Sequence, residues 1–258
     1  MLPVLNDVIE LARSAGAILR AGYGQQHDIR FKAATDLVTE IDHQSEKLII
    51  SSIQSRFPTH TIVAEESGHL PGSAENCWYV DPLDGTVNYA HGIPFFCVSI
   101  AYGIGHDIQL GVVYDPMRDE CFSAEKGRGA TLNGQPIRVS DATEMIRALM
   151  VTGFPYQLWE SENNNLDNYS RVSRVSQGVR RLGSAALDTA YVGCGRFDGY
   201  WEVSIKPWDV AAGGLIVREA GGIISNMQGE PDILQKPCSL VAGNAAIHPQ
   251  LLAKLNEA

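Results

Sequence analysis

Cysteines, basic residues and long apolar runs are all scarce in this sequence, and each shortage excludes something. The five cysteines (Cys77, Cys97, Cys121, Cys194 and Cys238) are odd in number, scattered and without a CxxC pair. They read as small buried apolar residues in a reducing compartment, not as a disulfide framework. No apolar stretch approaches the roughly 18 residues of a membrane span; the longest, around Phe95 to Ile104, is about half that. Lys and Arg total 20 against 30 Asp and Glu, a formal charge of −10. Such a surface is a poor match for a phosphate backbone, but surplus carboxylates suit bound cations. There is no internal repeat, no glycine period of a fibrous chain and no disordered linker.

What is present is ordinary for a globular protein: 45% apolar and 19% charged residues over 258 positions. A chain this long buries roughly 70–75% of its unfolded surface, so it needs no staples. In the opening segment Val4, Leu5, Val8, Leu11, Ala12, Ala15, Ile18 and Leu19 follow helical spacing, while Asp7 and Glu10 replace a basic start. That predicts an amphipathic helix and not a signal peptide, and hence a cytoplasmic enzyme. A second helix is expected from about Ile41 to Ile53, opened by Thr39 with Asp42 three residues on in a capping-box pattern. Strand-like runs follow at Thr61–Ala64, Trp78–Val80, Phe96–Ile104, Ile108–Tyr114 and Glu120–Ala124. Their tight links predict an antiparallel meander, and Asn133-Gly134 adds a turn. From about Arg147 strands and helices alternate. Strands are expected at Ala148–Thr152, Gly199–Val203, Ile223–Ser225 and Ser239–Ala242. Helices are expected near Tyr169–Gln177, Ala185–Val192, Val210–Ala220 and from His248. The expectation is one compact unit of two halves, 1–146 (α+β, antiparallel sheet) and 147–258 (α/β).

Three acidic segments stand against strongly apolar sequence: Ala64-Glu65-Glu66-Ser67, Asp81-Pro82-Leu83-Asp84-Gly85-Thr86 and Trp208-Asp209-Val210. Each has a bland reading on its own: solvated strand-end acids, a plain turn, a helix N-cap. Together they are costly unless something positive meets them. Glu65, Asp81, Asp84 and Asp209 offer hard oxygen ligands of the kind Mg²⁺ takes, often alongside phosphate oxygens. Pro82 is expected to stiffen a turn between Asp81 and Asp84, and the Gly85 and Thr86 amides, entering a helix near Asn88, to seat an anion. The seven histidines show no H-x-x-x-H spacing, Ser67 and Ser99 have no histidine partner in sequence, and His91 reads as an ordinary packing or surface residue.

With WYVDPLDGTVNYAHGIPFFCVSIA, WDVAAGGLIVREAGG, AEES, KAATDLVTEID and RRLGSAALDTAYVGCGRFDGYWE in order, the chain resembles the inositol monophosphatase family, particularly its bacterial branch, over essentially its whole length. The resemblance implies a layered αβαβα sandwich of the Mg²⁺-dependent sugar phosphatase type, with a mixed sheet in the second half. It implies a phosphomonoesterase using two to three Mg²⁺ ions, sensitive to lithium. Glu65, Asp81 and the Leu83 carbonyl would hold one ion; Asp81, Asp84 and Asp209 a second; Glu65 stands near a weaker third. Asp42 and Thr86 match the pair that positions the attacking water, and Gly85 and Thr86 amides would receive the phosphate.

Substrate contacts carried over are Glu202, seven residues before Asp209 as is the family acid on a sugar-ring hydroxyl, and the Ala185 backbone. Asp209 also lies at the substrate. Thr152-Gly153-Phe154-Pro155 departs from the serine-bearing stretch of animal members, which leaves one inositol contact open. Lys32 and Asp36 fit the family's mobile loop near the third ion. The expected substrate is a small polyol phosphate, first of all inositol 1-phosphate. Histidinol phosphate, fructose 1,6-bisphosphate and nucleotide phosphates remain open, because the metal motifs address the phosphate and not the alcohol. A homodimer is implied by resemblance, and no membrane partner is expected. The non-enzymatic alternative is an interaction module. Some bacterial relatives are thought to bind the transcription machinery, and Arg171, Arg174, Arg180 and Arg181 are the local basic patch that would suit such a partner or nucleic acid.

Overall fold

The computed structural model describes residues 2–25, 30–31, 37–155 and 158–257. Lys32 and Asp36 lie outside the described residues. In chain order the first half contains α1 (Leu5–Gly22), β1 (Arg30–Phe31), β2 (Leu37–Val38), α2 (Glu40–Arg56), β3 (His60–Ala64), β4 (Gly68–Leu70), β5 (Ser73–Asp84), α3 (Thr86–Ala90), β6 (Cys97–Ile104), β7 (Asp107–Asp115), β8 (Glu120–Glu125), β9 (Ala130–Leu132) and β10 (Gln135–Pro136). The second half contains β11 (Leu149–Thr152), α4 (Leu166–Ser173), β12 (Gly178–Arg180), α5 (Ala185–Gly193), β13 (Gly199–Glu202), α6 (Pro207–Glu219), β14 (Ile223–Ser225), β15 (Leu240–Gly243) and α7 (Ile247–Leu255).

Five layers result. Helices α1 and α2 cover one face of an eight-stranded sheet ordered β10-β9-β8-β7-β6-β5-β3-β4; α5 and α6 cover its other face. The same two helices meet a five-stranded sheet, β12-β11-β13-β15-β14, whose far face carries α4 and α7. Each interlayer space has its own apolar core: Ile49, Trp78 and Ile100 under α1 and α2, Leu187, Val210 and Ile216 in the middle, Met150, Trp201 and Leu251 under α7. This is the expected αβαβα sandwich. The middle helices belong to the second half of the chain yet cover the sheet of the first, which leaves α5 and α6 nearly all buried.

The meander β5-β6-β7-β8-β9 is antiparallel, and the β9–β10 hairpin turns at Asn133 and Gly134, both at positive φ. Two expectations are corrected. The first-half sheet is not wholly antiparallel, since β3 pairs with β5 in parallel; a short helical crossover is not needed because β4 and its loops make the return. The Asp81–Asp84 segment is not a turn after a strand ending at Val80. It is the end of β5, and the register slips one residue between Asp81↔Ser99 and Asp84↔Cys97. A bulge tolerates Pro82, which has no amide to give to a ladder. Smaller differences are offsets. The helix expected near Tyr169–Gln177 runs Leu166–Ser173, and that expected from Val210 starts at Pro207, whose fixed φ suits a first helical position.

Candidate active site

The acids gather where the ends of β3 and β5 meet the starts of α3, α5 and α6. The parallel pairing Ala64↔Val80 carries Glu65 past the strand end, with its amide on the Val80 carbonyl at 3.1 Å, so that Glu65 lies beside Asp81. In the bulge the Leu83 amide donates to Asp81 Oδ1 at 2.9 Å, and the Leu83 side chain is fully buried, anchoring the loop from below. Gly85 follows at φ 98°, and an added Cβ would stand 3.0 Å from the Phe95 carbonyl oxygen. Both the backbone angle and the close approach demand glycine. Helix α3 has only five residues, so it presents amides and not a macrodipole.

The second half reaches this loop through specific bonds. Ser184 Oγ and the Ala186 amide donate to Asp84 Oδ2 at 2.6 and 2.7 Å, setting the start of α5 on that carboxylate. Asn88 Nδ2 reaches the carbonyls of Phe95 and Leu182, both at 2.8 Å, and holds the approach to α5. Ser99, opposite Asp81 in the sheet, donates to the Trp208 carbonyl at 3.1 Å and so fixes the residue preceding Asp209. Asp209 lies in the first turn of α6 and accepts the Lys206 amide at 3.0 Å. Asp209 is therefore not the N-cap, which is Lys206, but the third residue of α6, bonded back to the N-cap amide and facing the other acids.

Burial first, and then the charges of Glu65, Asp84 and Asp209, hold the Asp81 carboxyl well above the usual carboxylate range. Asp209 is pushed well up by burial and by Asp84 and Glu65; Asp84 is raised by burial against the pull of its bonds to Ser184 and Ala186. Such mutual repulsion marks a cluster that lacks positive charge. Among the described residues no three acidic, histidine or cysteine side chains stand as a ready cage for one ion. One oxygen of each of Asp81, Asp84 and Asp209 is instead turned to a backbone amide or hydroxyl. Bonds of that kind orient carboxylate ligands, and an all-oxygen donor set with excess negative charge fits Mg²⁺.

Asp42 is fully buried in the first turn of α2. It accepts the Thr39 amide at 2.9 Å, the Thr39 hydroxyl at 2.6 Å and, on Oδ1, the Thr86 hydroxyl at 3.2 Å. Burial raises its pKa to about 6. Thr86 Oγ1 also lies 3.0 Å from the Leu83 carbonyl, so two acceptors share one hydroxyl proton. Glu202 ends β13, buried, with Tyr200 Oη donating to its Oε2; burial raises its pKa to about 7. A Cβ on Gly153 would fall on the Glu202 carboxylate, so glycine there makes room for the acid. Ala185 is the first residue of α5, next to the Ser184 and Ala186 groups on Asp84. Among the described residues Asp42, Glu65, Asp81, Leu83, Asp84, Gly85, Thr86, Ala185, Glu202 and Asp209 thus fall in one region, while Lys32 and Asp36 lie outside the described residues.

Several supporting residues escaped the sequence. Glu46, buried on α2, accepts the Glu66 amide at 2.9 Å and the Ser67 hydroxyl at 2.5 Å, and so holds the Glu65 turn. Ser45 donates to the Pro82 carbonyl at 2.9 Å. Ser45 and Glu46 follow Asp42 by three and four residues and share its helix face, a signal the sequence carried. Ser184, the N-cap of α5, carried the local signal of a serine before an apolar helix, whereas Ser99 left none. His91 is exposed, as its ordinary reading has it. The buried Ser225–His248 pair, 2.9 Å apart, lies elsewhere on β14 and α7.

The Inositol monophosphatase family model matches residues 1–258. A Synechocystis protein named inositol-1-monophosphatase is 47% identical over 250 residues, covering 96% of this chain and 86% of the relative. Nus factor SuhB of Pseudomonas aeruginosa is 42% identical over 264 residues, covering 99% and 96%. The solved inositol monophosphatase of Anabaena superposes with a TM-score of 0.88 at 44% identity, covering 97% of this chain and 94% of that one.

Proposed function

The chain belongs to the inositol monophosphatase family, and we propose that it is a Mg²⁺-dependent phosphomonoesterase acting on a small phosphorylated polyol, with inositol 1-phosphate as its substrate. The observation that carries this reading is the convergence of Glu65, Asp81, Asp84 and Asp209 beside the Thr86–Asp42 pair, with Glu202 at the edge. Glu65, Asp81, Asp84, Asp209 and the Leu83 carbonyl would hold the ions. Bound Mg²⁺ would screen phosphate charge, polarise the ester and make water a better nucleophile. The protein's own groups do the positioning. The Gly85 and Thr86 amides receive phosphate oxygens, and Thr86 Oγ1 with Asp42 Oδ1 orients the attacking water. Glu202 accepts a hydroxyl of the departing alcohol, and the Ala185 backbone lies beside it. No serine or cysteine nucleophile is involved.

Phosphate release from inositol, sugar, histidinol and nucleotide phosphates, with and without Mg²⁺, tests the reading. The highest kcat/KM is expected for inositol 1-phosphate and none without the ion. A preference for histidinol phosphate, fructose 1,6-bisphosphate or a nucleotide would keep the chemistry and replace the substrate. Cytoplasmic location and a homodimer belong to the same proposal, the latter checked by sedimentation; among the described residues no helix is long and apolar enough to cross a membrane.

A second role is favoured by relatives named Nus factor SuhB, such as that of Escherichia coli at 40% identity over 260 residues. Arg174, Arg180 and Arg181 are exposed and Arg171 half-buried. Binding to RNA polymerase, weakened by Arg180→Glu with Arg181→Glu, would support that role; no binding would dismiss it.

A further inference from the structure

The asparagine run Asn163 to Asn165 reads as a surface loop, yet Asn165 is buried, with 3% of its surface exposed. It is the N-cap of α4, where an asparagine side chain ordinarily accepts one of the helix's first amides. Here the side chain makes no such bond, and Asn164 Oδ1 takes the Leu166 amide at 3.1 Å. The Asn165 backbone stands at φ 71°, a left-handed angle that asparagine adopts more readily than most residues. Helix capping therefore does not account for the side chain.

The side chain turns inward instead. Oδ1 accepts the Trp201 indole N–H at 2.7 Å, and Nδ2 donates to the Gly153 carbonyl at 2.7 Å and to Thr152 Oγ1 at 2.9 Å. The indole is only a donor and the carbonyl only an acceptor, so the amide fits in one orientation. Thr152 Oγ1 in turn donates to the Trp201 carbonyl at 2.7 Å. Thr152 and Trp201 are register partners where β11 and β13 run parallel. The next residue on each strand is Gly153 and Glu202. A Cβ on Gly153 would stand 2.2 Å from Glu202 Oε2, so the Gly153 backbone is a wall directly against that carboxylate. One side chain thus ties together the wall and the strand end that carries the acid.

We propose that Asn165 is a positioning residue for Glu202: by locking Gly153 and Trp201 together it holds the Glu202 carboxylate in the direction that receives the alcohol of the substrate. The proposal deepens the phosphomonoesterase reading above and rests on Glu202 as the acceptor for a polyol hydroxyl. Discrimination between alcohols then depends on a residue that does not touch the substrate.

The test measures Asn165→Gly, Glu202→Gln and the two together on inositol 1-phosphate and on p-nitrophenyl phosphate, whose aryl group has no hydroxyl to offer. Glycine keeps the left-handed backbone and removes all three bonds. For Asn165→Gly, kcat/KM on inositol 1-phosphate is expected to fall about tenfold, chiefly through KM, with the aryl ester changed by less than about threefold. A residue that acts through Glu202 adds nothing once Glu202 is altered, so the double variant should lose no more than Glu202→Gln alone. Tm falls under either role, because the indole N–H is left buried, and serves only to show that the variant is folded. If Asn165→Gly does not melt cooperatively, Asn165→Asp carries the same comparison: it keeps the Trp201 bond and sets an oxygen against the Gly153 carbonyl. Equal losses on both esters, an unchanged preference between them, or losses that add in the double variant would make Asn165 a structural residue and overturn the proposal. The titration of Glu202, followed by ¹³C NMR, reads the positioning without turnover. Its midpoint, about 7 in the folded protein, should move down as the wall loosens and water reaches the carboxylate, and an unmoved midpoint would also overturn the proposal. Inactivity of the unaltered protein on both esters would instead overturn the phosphomonoesterase reading.

Discussion

The two ends of the site are built on different terms. At the β5 loop each acid is held by donors from its own neighbourhood or from a helix start: Asp42 by Thr39 and Thr86, Asp81 by Leu83, Asp84 by Ser184 and Ala186. At the β13 end Glu202 has Tyr200, and Asp188 Oδ1 has no partner among the described residues. The first arrangement fixes carboxylates before anything binds, which is what hard-cation chemistry requires. The second holds Glu202 by one phenol and leaves Asp188 Oδ1 buried without a partner among the described residues, at a cost in stability.

The contrast breaks hardest at Asp81. Asp81→Asn keeps the shape and most of the bulge but removes charge at the centre of the cluster, and kcat is expected to drop roughly 10³-fold or more. Turnover near wild type, with circular dichroism and Tm unchanged, would show that the preorganised end is not the reactive one.

Thr86→Ala probes the same end more finely. It removes the hydroxyl on Asp42 and leaves the backbone amide, so kcat should fall about 10²-fold with little change in KM. Were Thr86 merely a helix-start residue, stability would drop by about 1 kcal/mol and turnover would hold. Steady-state kinetics with Tm measured alongside separates these outcomes.

Glu202→Gln sharpens the other side of the comparison. KM for inositol 1-phosphate should rise about tenfold while p-nitrophenyl phosphate is hydrolysed nearly as before. Equal effects on both esters would erase the distinction between the two ends.

The smallest effect is on stability. Burial raises Glu202 from 4.5 to about 7, and Asp81, Asp84 and Asp209 shift in the same direction. The folded state binds these protons more tightly than the unfolded one. The stability Glu202 contributes is therefore full below about 4.5 and is lost as pH rises through about 7. In the metal-free protein Tm should decline by a few degrees across that window, and Glu202→Gln should flatten part of the slope. Added Mg²⁺ should raise Tm more at pH 8 than at pH 5, because ligand carboxylates must be deprotonated. An equal shift at both pH values would deny the acids a role in holding the ion.

Much of this was legible in the chain because it is local. The Thr39–Asp42 capping box, the Asn133-Gly134 turn, the apolar runs that make β6 and β7, and the acids of the Asp81–Asp84 loop all depend on residues within a few positions of one another. The parallel partner of β3, by contrast, was invisible: a short apolar run has no direction until a neighbour is chosen. The bulge was read as a turn because Pro82 and Gly85 speak for turns when no partner strand is in view.

By itself, then, the sequence determined which residue types stand together within a few positions, since capping, turn and bulge chemistry act over one helical turn or a few strand residues. Only the tertiary structure decided that Ser184 and Ala186 would meet Asp84 from 100 and 102 residues away. It alone decided that Ser99 would steer Asp209 through Trp208, and that Asp188 Oδ1 on an apolar helix would be buried without a partner among the described residues. Those outcomes follow from how two sheets pack on the same pair of helices. Packing is a sum over many weak, non-directional contacts, and no short segment of chain carries that sum.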